Sequence, residues 1–324
     1  MVKPYFNWLT RNWRRTALGL AIIFVSLGAG AVGNHYVHDK QQSNREAKYN
    51  LLSRRILIEK PNDILLNFHG LQRDYQDYLA QKGLGDKVSL YFEYLPTGSS
   101  IGINEDKESL GASLFKLPLV ISLYKQAEEG KVSLDTTVSL KKEWLNSQYG
   151  DLYKKGEGYR LTYREAIAYA LEKSDNTAAL MIYDAVSKAQ KTATPDLLEF
   201  VDANYATDPS QAVLIGPQSY SSILKCLYFS CYLSKDNSQA ILSDLTKAVA
   251  DNRLTLFTPD TVSVAHKIGT YQQQNQSDCG IFYVPQRNYA LCIMVQQSDP
   301  EASQIIGDLS LMTYDYLMTD KSNQ

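Results

Sequence analysis

Strand-like sequence occurs in this 324-residue chain in two groups separated by about 150 residues of mostly helical pattern, and that distribution limits the folds open to it. Val88–Leu95 and Ile101–Ile103 flank the turn Pro96-Thr97-Gly98. Val262–Thr270, Gly280–Val284 and Tyr289–Gln296 form the second group, the last two joined by Pro285-Gln286-Arg287-Asn288. Helices are expected between the groups, including Arg164–Lys173, Ala178–Ala189 and Gln218–Leu233. A terminal helix, Glu301–Met318, carries Ile305, Leu309, Met312 and Tyr316 on one face. The expected fold is of the α/β (α+β) class: an antiparallel sheet from both chain ends with packed helices, plus an inserted all-helical lobe. A cleft would run between the two.

The N-terminal part reads differently. Thr16–Gly33 is an almost uncharged apolar run near the lower length limit for a membrane-spanning helix. Lys3, Arg11, Arg14 and Arg15 precede it, with Trp8 and Trp13 placed like interface anchors. The expected partition is a cytoplasmic segment 1–15, a transmembrane anchor 16–33, a polar stalk 34–60 and a folded domain 61–320. Ala29-Gly30-Ala31 leaves a cleavable signal peptide as the rival reading. Either way the folded domain is expected to be extracytoplasmic, and the preferred reading is a single-pass protein of the cell membrane.

Three short segments carry the chemistry. Ser113 follows Gly111-Ala112 and precedes an apolar-rich run, which reads as a helix start. Lys116 then lies one turn beyond Ser113 on the same face. A hydroxyl needs a neighbouring base to become nucleophilic, and a lysine can serve when burial or a nearby cation such as Lys267 lowers its pKa. Unpaired N–H groups at a helix start can stabilise an oxyanion. Ser174-Asp175-Asn176 lies between two helical patterns, where Ser174 could pass a proton to a leaving group and Asn176 could orient a substrate carbonyl; these residue types also favour helix N-caps. Lys267-Ile268-Gly269-Thr270 follows the alternation Val262, Val264, Ala265 and reads as strand. Lys267 would meet a substrate carboxylate, the Thr270 N–H would be a second oxyanion donor, and the Thr270 hydroxyl another carboxylate contact. Of the four histidines, His35 and His38 fall beside the apolar run, His69 on an expected surface helix, and His266 next to Lys267 on a strand whose neighbours face opposite ways. A Ser-His-Asp triad is not expected.

The ordered set resembles the class A β-lactamase and penicillin-binding serine hydrolase superfamily, with its Ser-x-x-Lys, Ser-Asp-Asn and Lys-Thr-Gly motifs. The likeness spans roughly Pro61 to Met318 and includes Ala112-Ser113-Leu-Phe-Lys-Leu-Pro and Ser174-Asp-Asn-Thr-Ala-Ala. It implies Ser113 as the acylated nucleophile, Lys116 as general base and Ser174 as proton shuttle. It also implies substrate contacts from Asn176, Lys267, Gly269 and Thr270, with an oxyanion hole from the Ser113 and Thr270 N–H groups. No metal or organic cofactor is implied.

Two departures narrow the expectation. Class A β-lactamases carry a Glu-x-x-Leu-Asn segment whose glutamate activates the hydrolytic water, and none lies between Asn176 and Lys267. Asp196, Glu199, Asp202 and Asp208 occur there, but Glu199 fits a polar position on a short helix, Pro195–Val201. Ile268 stands where the family usually has Thr or Ser. The resulting expectation is a D,D-peptidase-type penicillin-binding protein whose partners are peptidoglycan stem peptides or β-lactams. One alternative is a β-lactamase that hydrolyses β-lactam antibiotics. A second is a covalent β-lactam receptor or scaffold without turnover, although the 15 residues before the apolar run are too few for an output module.

Composition adds limits. A net charge of −2 argues against a nucleic-acid partner. Cys226, Cys231, Cys279 and Cys292 lack zinc-type spacing. Cys226 and Cys231 on one continuous helix would be poorly placed to bond, Cys279 and Cys292 lie on neighbouring strands, and buried free thiols are the expectation for all four. Tyrosines number 23 against nine phenylalanines, and Tyr149, Tyr153 and Tyr159 fall near the expected cleft rim. Packing with an exposed hydroxyl is the more ordinary role for them, stacking on glycan or peptide the other.

Overall fold

A computed structural model describes residues 40, 47–53, 67–189, 193–201, 214–249, 252–272 and 274–319. The expected anchor 16–33, most of the stalk 34–60, and Asp202 and Asp208 lie outside them. Among the described residues no helix is long and apolar enough to cross a membrane. The chain divides at Asn50/Leu51, and the fold considered below is that of the second unit.

Its centre is a five-stranded antiparallel sheet in the order β2-β1-β9-β8-β7. Strands β1 (Val88–Tyr94) and β2 (Ser99–Ile103) come from the N-terminal group; β7 (Ser263–Tyr271), β8 (Asn275–Tyr283) and β9 (Tyr289–Val295) come from the C-terminal group. The two chain ends join where Val88 to Tyr94 pairs with Val295 to Tyr289. Every residue of β1 and β9 is buried, because helices cover both faces of the sheet. On one face, helices α1 (His69–Lys82) and α8 (Glu301–Met318) supply Leu71, Tyr75, Leu79, Ile305, Ile306 and Leu309 to a core with Leu90, Phe92, Leu291 and Ile293. On the other, Lys225 of α6 (Pro217–Tyr228) meets the buried Glu93 of β1 at 2.6 Å.

The helical region contains α2 (Lys116–Glu128), α3 (Tyr163–Glu172), α4 (Asn176–Ala189), α5 (Ala193–Phe200), α6 and α7 (Lys235–Leu245). Helix α2 buries Leu117, Leu119, Val120, Ile121, Leu123 and Tyr124, so it runs through the interior. A capping box fixes the start of α3: Thr162 Oγ1 accepts from the Glu165 N–H, while the Glu165 carboxylate accepts from the Thr162 N–H. Two-stranded pairs β3 (Ser109–Leu110) with β6 (Leu214–Ile215), and β4 (Thr137–Ser139) with β5 (Arg160–Thr162), flank the helices.

Three local expectations are corrected. Strand β8 begins at Asn275 rather than Gly280: Asn275, Gln276, Ser277 and Asp278 are all buried, with Gln276 Oε1 accepting from Arg253 and Asn275 Nδ2 donating to the Leu110 carbonyl, while Asn275 Oδ1 has no partner among the described residues. Helix α6 ends at Tyr228 rather than Leu233. Ser230 takes φ +46° and turns the chain back, so that the Cys231 N–H donates to the Cys226 carbonyl. The cysteines are consequently not free thiols. With the helix ended, Cys226 and Cys231 have Cα atoms 5.1 Å apart and are bonded, and Cys279 and Cys292, directly opposite on β8 and β9, form the second disulfide.

Candidate active site

Ser113 lies in a turn of 3₁₀ helix, Ala112–Phe115, that leads directly into α2. The expected α-helical start is thus a tighter turn, and Pro118 falls in the first turn of α2, where its missing N–H costs little. Tyr220 of α6 donates to the Leu114 carbonyl at 3.2 Å and holds this turn against the body. Strand β7 abuts it from the other side. A Cβ at Gly269 would lie 2.4 Å from Ser277 Oγ and 2.9 Å from the Gly111 carbonyl oxygen, so glycine is what permits this approach.

The Ser174-Asp175-Asn176 segment faces the turn. Asp175 is fully buried; its carboxylate accepts from the Leu152 N–H at 2.8 Å and from the Ala178 N–H at 2.9 Å. It therefore caps α4 and ties the loop before β5 to the site. Ser174 takes φ +51°, and Ala112, beside Ser113, takes φ +44°. Both are non-glycine residues in the left-handed region, which costs about 1–3 kcal/mol each and concentrates at functional sites.

Lys116 and Lys267 converge on Ser174. The Lys116 Nζ lies 3.0 Å from Ser113 Oγ, 3.1 Å from Ser174 Oγ and 2.7 Å from Asn176 Oδ1, and also meets the Ser174 carbonyl. Lys267, 1% exposed, donates to the same Ser174 hydroxyl at 2.7 Å. Asn176 is held by donation to Asn146 Oδ1 at 3.2 Å. Burial lowers the Lys116 pKa to about 8, with the Asp175 charge opposing. Lys267 is held well below the ordinary lysine value, first by burial and then by the charge of Lys116, with Asp278 opposing and Arg253 adding to the depression.

Ser113, Lys116, Ser174, Asn176 and Lys267 thus meet, and Gly269 brings its strand against the Ser113 turn; Thr270 differs. Its hydroxyl accepts from Arg253 Nη2 at 2.9 Å, so it is already engaged. Arg253 was not singled out by the sequence reading, because it lies in a loop and its other partners include backbone carbonyls. Nor was Asp278, which is fully buried with His266 Nδ1 at 3.0 Å and accepts from the Leu254 N–H at 3.1 Å. His266 is spent in this pair. Glu199 is exposed beside buried Leu197 and Leu198, while Phe200 is 55% exposed and packs on Tyr232. Tyr149 is 42% exposed, with Lys116 Nζ 5.9 Å from its ring centre. Among the described residues no cluster could hold a metal ion.

A hydroxyl, a depressed-pKa amine touching it and a second hydroxyl shared by two amines form a proton-transfer path suited to acyl transfer. Known proteins resemble this chain. The model of the beta-lactamase enzyme family matches residues 70–317. A beta-lactamase of Phocaeicola vulgatus is 24% identical over 233 residues, covering 64% of this chain and 73% of its own. Among solved structures, a PBP-A mutant in its acyl-enzyme complex with penicillin G superposes with a TM-score of 0.70 at 21% identity, over 77% of this chain and 96% of that one. The TLA-3 extended-spectrum beta-lactamase gives 0.71 at 20% identity, over 78% of this chain and 100% of that one. At these identities the structural likeness establishes the mixed α/β fold with its antiparallel sheet.

Proposed function

The chain belongs to the beta-lactamase enzyme family, and on that premise we propose that it is a D,D-peptidase-type serine hydrolase, acylated at Ser113 by D-Ala-D-Ala stem peptides and by β-lactams. The contact of the Lys116 amine with Ser113 Oγ, at a lowered pKa, carries the acylation half of the reading. A neutral Lys116 takes the hydroxyl proton as Ser113 Oγ attacks the carbonyl carbon. The developing oxyanion is received by the Ser113 and Thr270 N–H groups. Ser174 passes its proton to the leaving nitrogen and is reprotonated from Lys116 or Lys267, both within hydrogen-bond distance of its hydroxyl. The C–N bond breaks and an ester remains on Ser113. Lys267 attracts the substrate carboxylate, Asn176 orients the substrate amide, and Gly269 lets the strand lie close enough to do both.

What favours the peptidase over the lactamase is the missing deacylation motif. No Glu-x-x-Leu-Asn lies between Asn176 and Lys267, and Glu199 is on an exposed helix position. The β-lactamase reading remains the alternative because the family and the Phocaeicola vulgatus relative carry that name. Residues 16–33 would anchor the chain in the cell membrane with this domain outside. The two disulfides support an oxidising compartment, where such bonds persist.

The test is incubation with a fluorescent penicillin and a D-Ala-D-Ala peptide, following intact mass and product with a Ser113→Ala control. The expected result is a long-lived adduct on Ser113 with release of D-Ala. Rapid, repeated penicillin hydrolysis without D-Ala release would make the protein a β-lactamase instead.

A further inference from the structure

Gly269 and Thr270 share one peptide unit, and a buried arginine grips one end of it. The Arg253 side chain is 3% exposed. Its Nη1 donates to the Gly269 carbonyl at 2.8 Å and to the Ser277 carbonyl at 2.9 Å. Its Nη2 donates to Thr270 Oγ1 at 2.9 Å, to Gln276 Oε1 at 2.7 Å and to Asp299 Oδ2 at 3.2 Å.

We propose that Arg253 is a positioning residue for the oxyanion-binding peptide, fixing the Gly269 carbonyl so that the Thr270 N–H is aimed into the cleft. The inference rests on the acylation chemistry proposed above. In a trans peptide the N–H points opposite to the C=O, and the only cis bond among the described residues is Asp299–Pro300. A cationic donor on the carbonyl therefore sets the plane of the N–H on the far side. It also polarises the amide and strengthens that N–H as a donor, as in chains of linked hydrogen bonds. The clamp matters here because Gly269 has no side chain to restrain its own torsions, and β7 is the outer strand, with β8 on one side alone. Ser277 Oγ adds only a long contact, 3.3 Å, to the same carbonyl. The planar fork reaches two carbonyls and a hydroxyl at once, a geometry that a lysine ammonium cannot reproduce.

A competing role for Arg253 is direct contact with the substrate carboxylate beside Thr270, and the test separates the two. Arg253→Lys and Arg253→Gln are made in the full chain. Acylation rate and prior binding are measured for an ester substrate and its thionoester twin, each with and without a free terminal carboxylate. Sulfur is a poor, bulky acceptor, so a well-aimed oxyanion donor discriminates against it. The expected result is a loss of about 10- to 100-fold in acylation rate on the oxygen esters. That loss is the same with or without the carboxylate, leaves prior binding little changed, and shrinks the preference for oxygen over sulfur. A loss confined to carboxylate-bearing substrates, or equal on oxygen and sulfur, overturns the proposal. So does an activity loss in both variants that merely follows the unfolded fraction in a thermal melt. If the unaltered chain is not acylated at Ser113, the functional reading falls and this one with it. Acylation in the unaltered chain with unaffected variants removes this one alone.

Discussion

Lys116 has four oxygen partners around one amine, one more than an ammonium has hydrogens. A neutral amine resolves part of the crowding by turning its lone pair to Ser113, which then donates. With the pKa near 8, the neutral fraction grows as pH rises, so the acylation rate constant should climb between about pH 6 and pH 9 and level off above. Asp175→Asn removes the negative charge that opposes the depression, and the midpoint should move to lower pH; a shift upward would contradict the assignment. Lys116→Ala should lower acylation by about 10²- to 10⁴-fold and flatten the profile. These side chains were legible because helical spacing and strand alternation place them, and because each occurs in a motif. Arg253, Asp278 and Asn146 were not. Their work is to bond carbonyls, a histidine and another amide, and no spacing rule marks a residue whose partners are found only after folding.

Elements set the approach of β7 to the 3₁₀ turn, and Gly269 is the point of closest fit. Gly269→Ala would place a methyl against backbone at Gly111 as well as against Ser277 Oγ. Loss of about 1–3 kcal/mol of stability is expected from such overpacking. A still larger proportional loss in Ser113 acylation should accompany it, read by melting and by penicillin labelling side by side. The disulfides bear on elements too. Cys279 lies opposite Lys267 in the β7–β8 register and is bonded to Cys292 of β9. Closing loops of 13 and 5 residues contributes about 3 and 2 kcal/mol by chain-entropy reasoning. Thiol titration of the unfolded, unreduced protein should find no reactive cysteine, and reduction should lower the melting temperature. The strands β1, β2, β7 and β9 and the helix α8 were readable from period and turn signals. The first half of β8 was not, since its buried polar residues imitate a loop, and α6 was overrun because nothing in its apolar pattern announces the turn at Ser230.

At the scale of the whole molecule, residues 51–53, within the expected stalk 34–60, belong to the body. Leu51 and Leu52 are buried, the Leu51 N–H donates to Gln239, the Ser53 N–H donates to the Tyr228 carbonyl, and Tyr283 donates to the Leu51 carbonyl. A shortened form starting at Ala47 should therefore melt higher than one starting at Asn67, with burial of the two leucines alone contributing about 3–6 kcal/mol; equal melting temperatures would show these contacts to be incidental. The general architecture, a sheet from both ends around a helical insertion, was visible in the spacing of the strand groups, whereas this docking depends on tertiary partners far along the chain.

The pairing of β1 with β9 also sets a timetable. During synthesis Ser113, Lys116 and Ser174 emerge well before Lys267, and β1, which can pair with β2 at once, must wait for residues 289–295 before its second neighbour exists. Contacts so distant along the chain form late and slowly. A ribosome that stops short of Tyr289 releases a polypeptide in which the β1–β2 and β7–β8 pairs lack the strand that joins them into one sheet, the sheet that carries Lys267 to Ser174. The full set of contacts around Ser174 is therefore expected only once β9 has joined the two halves of the sheet, and an unfinished copy should lack it.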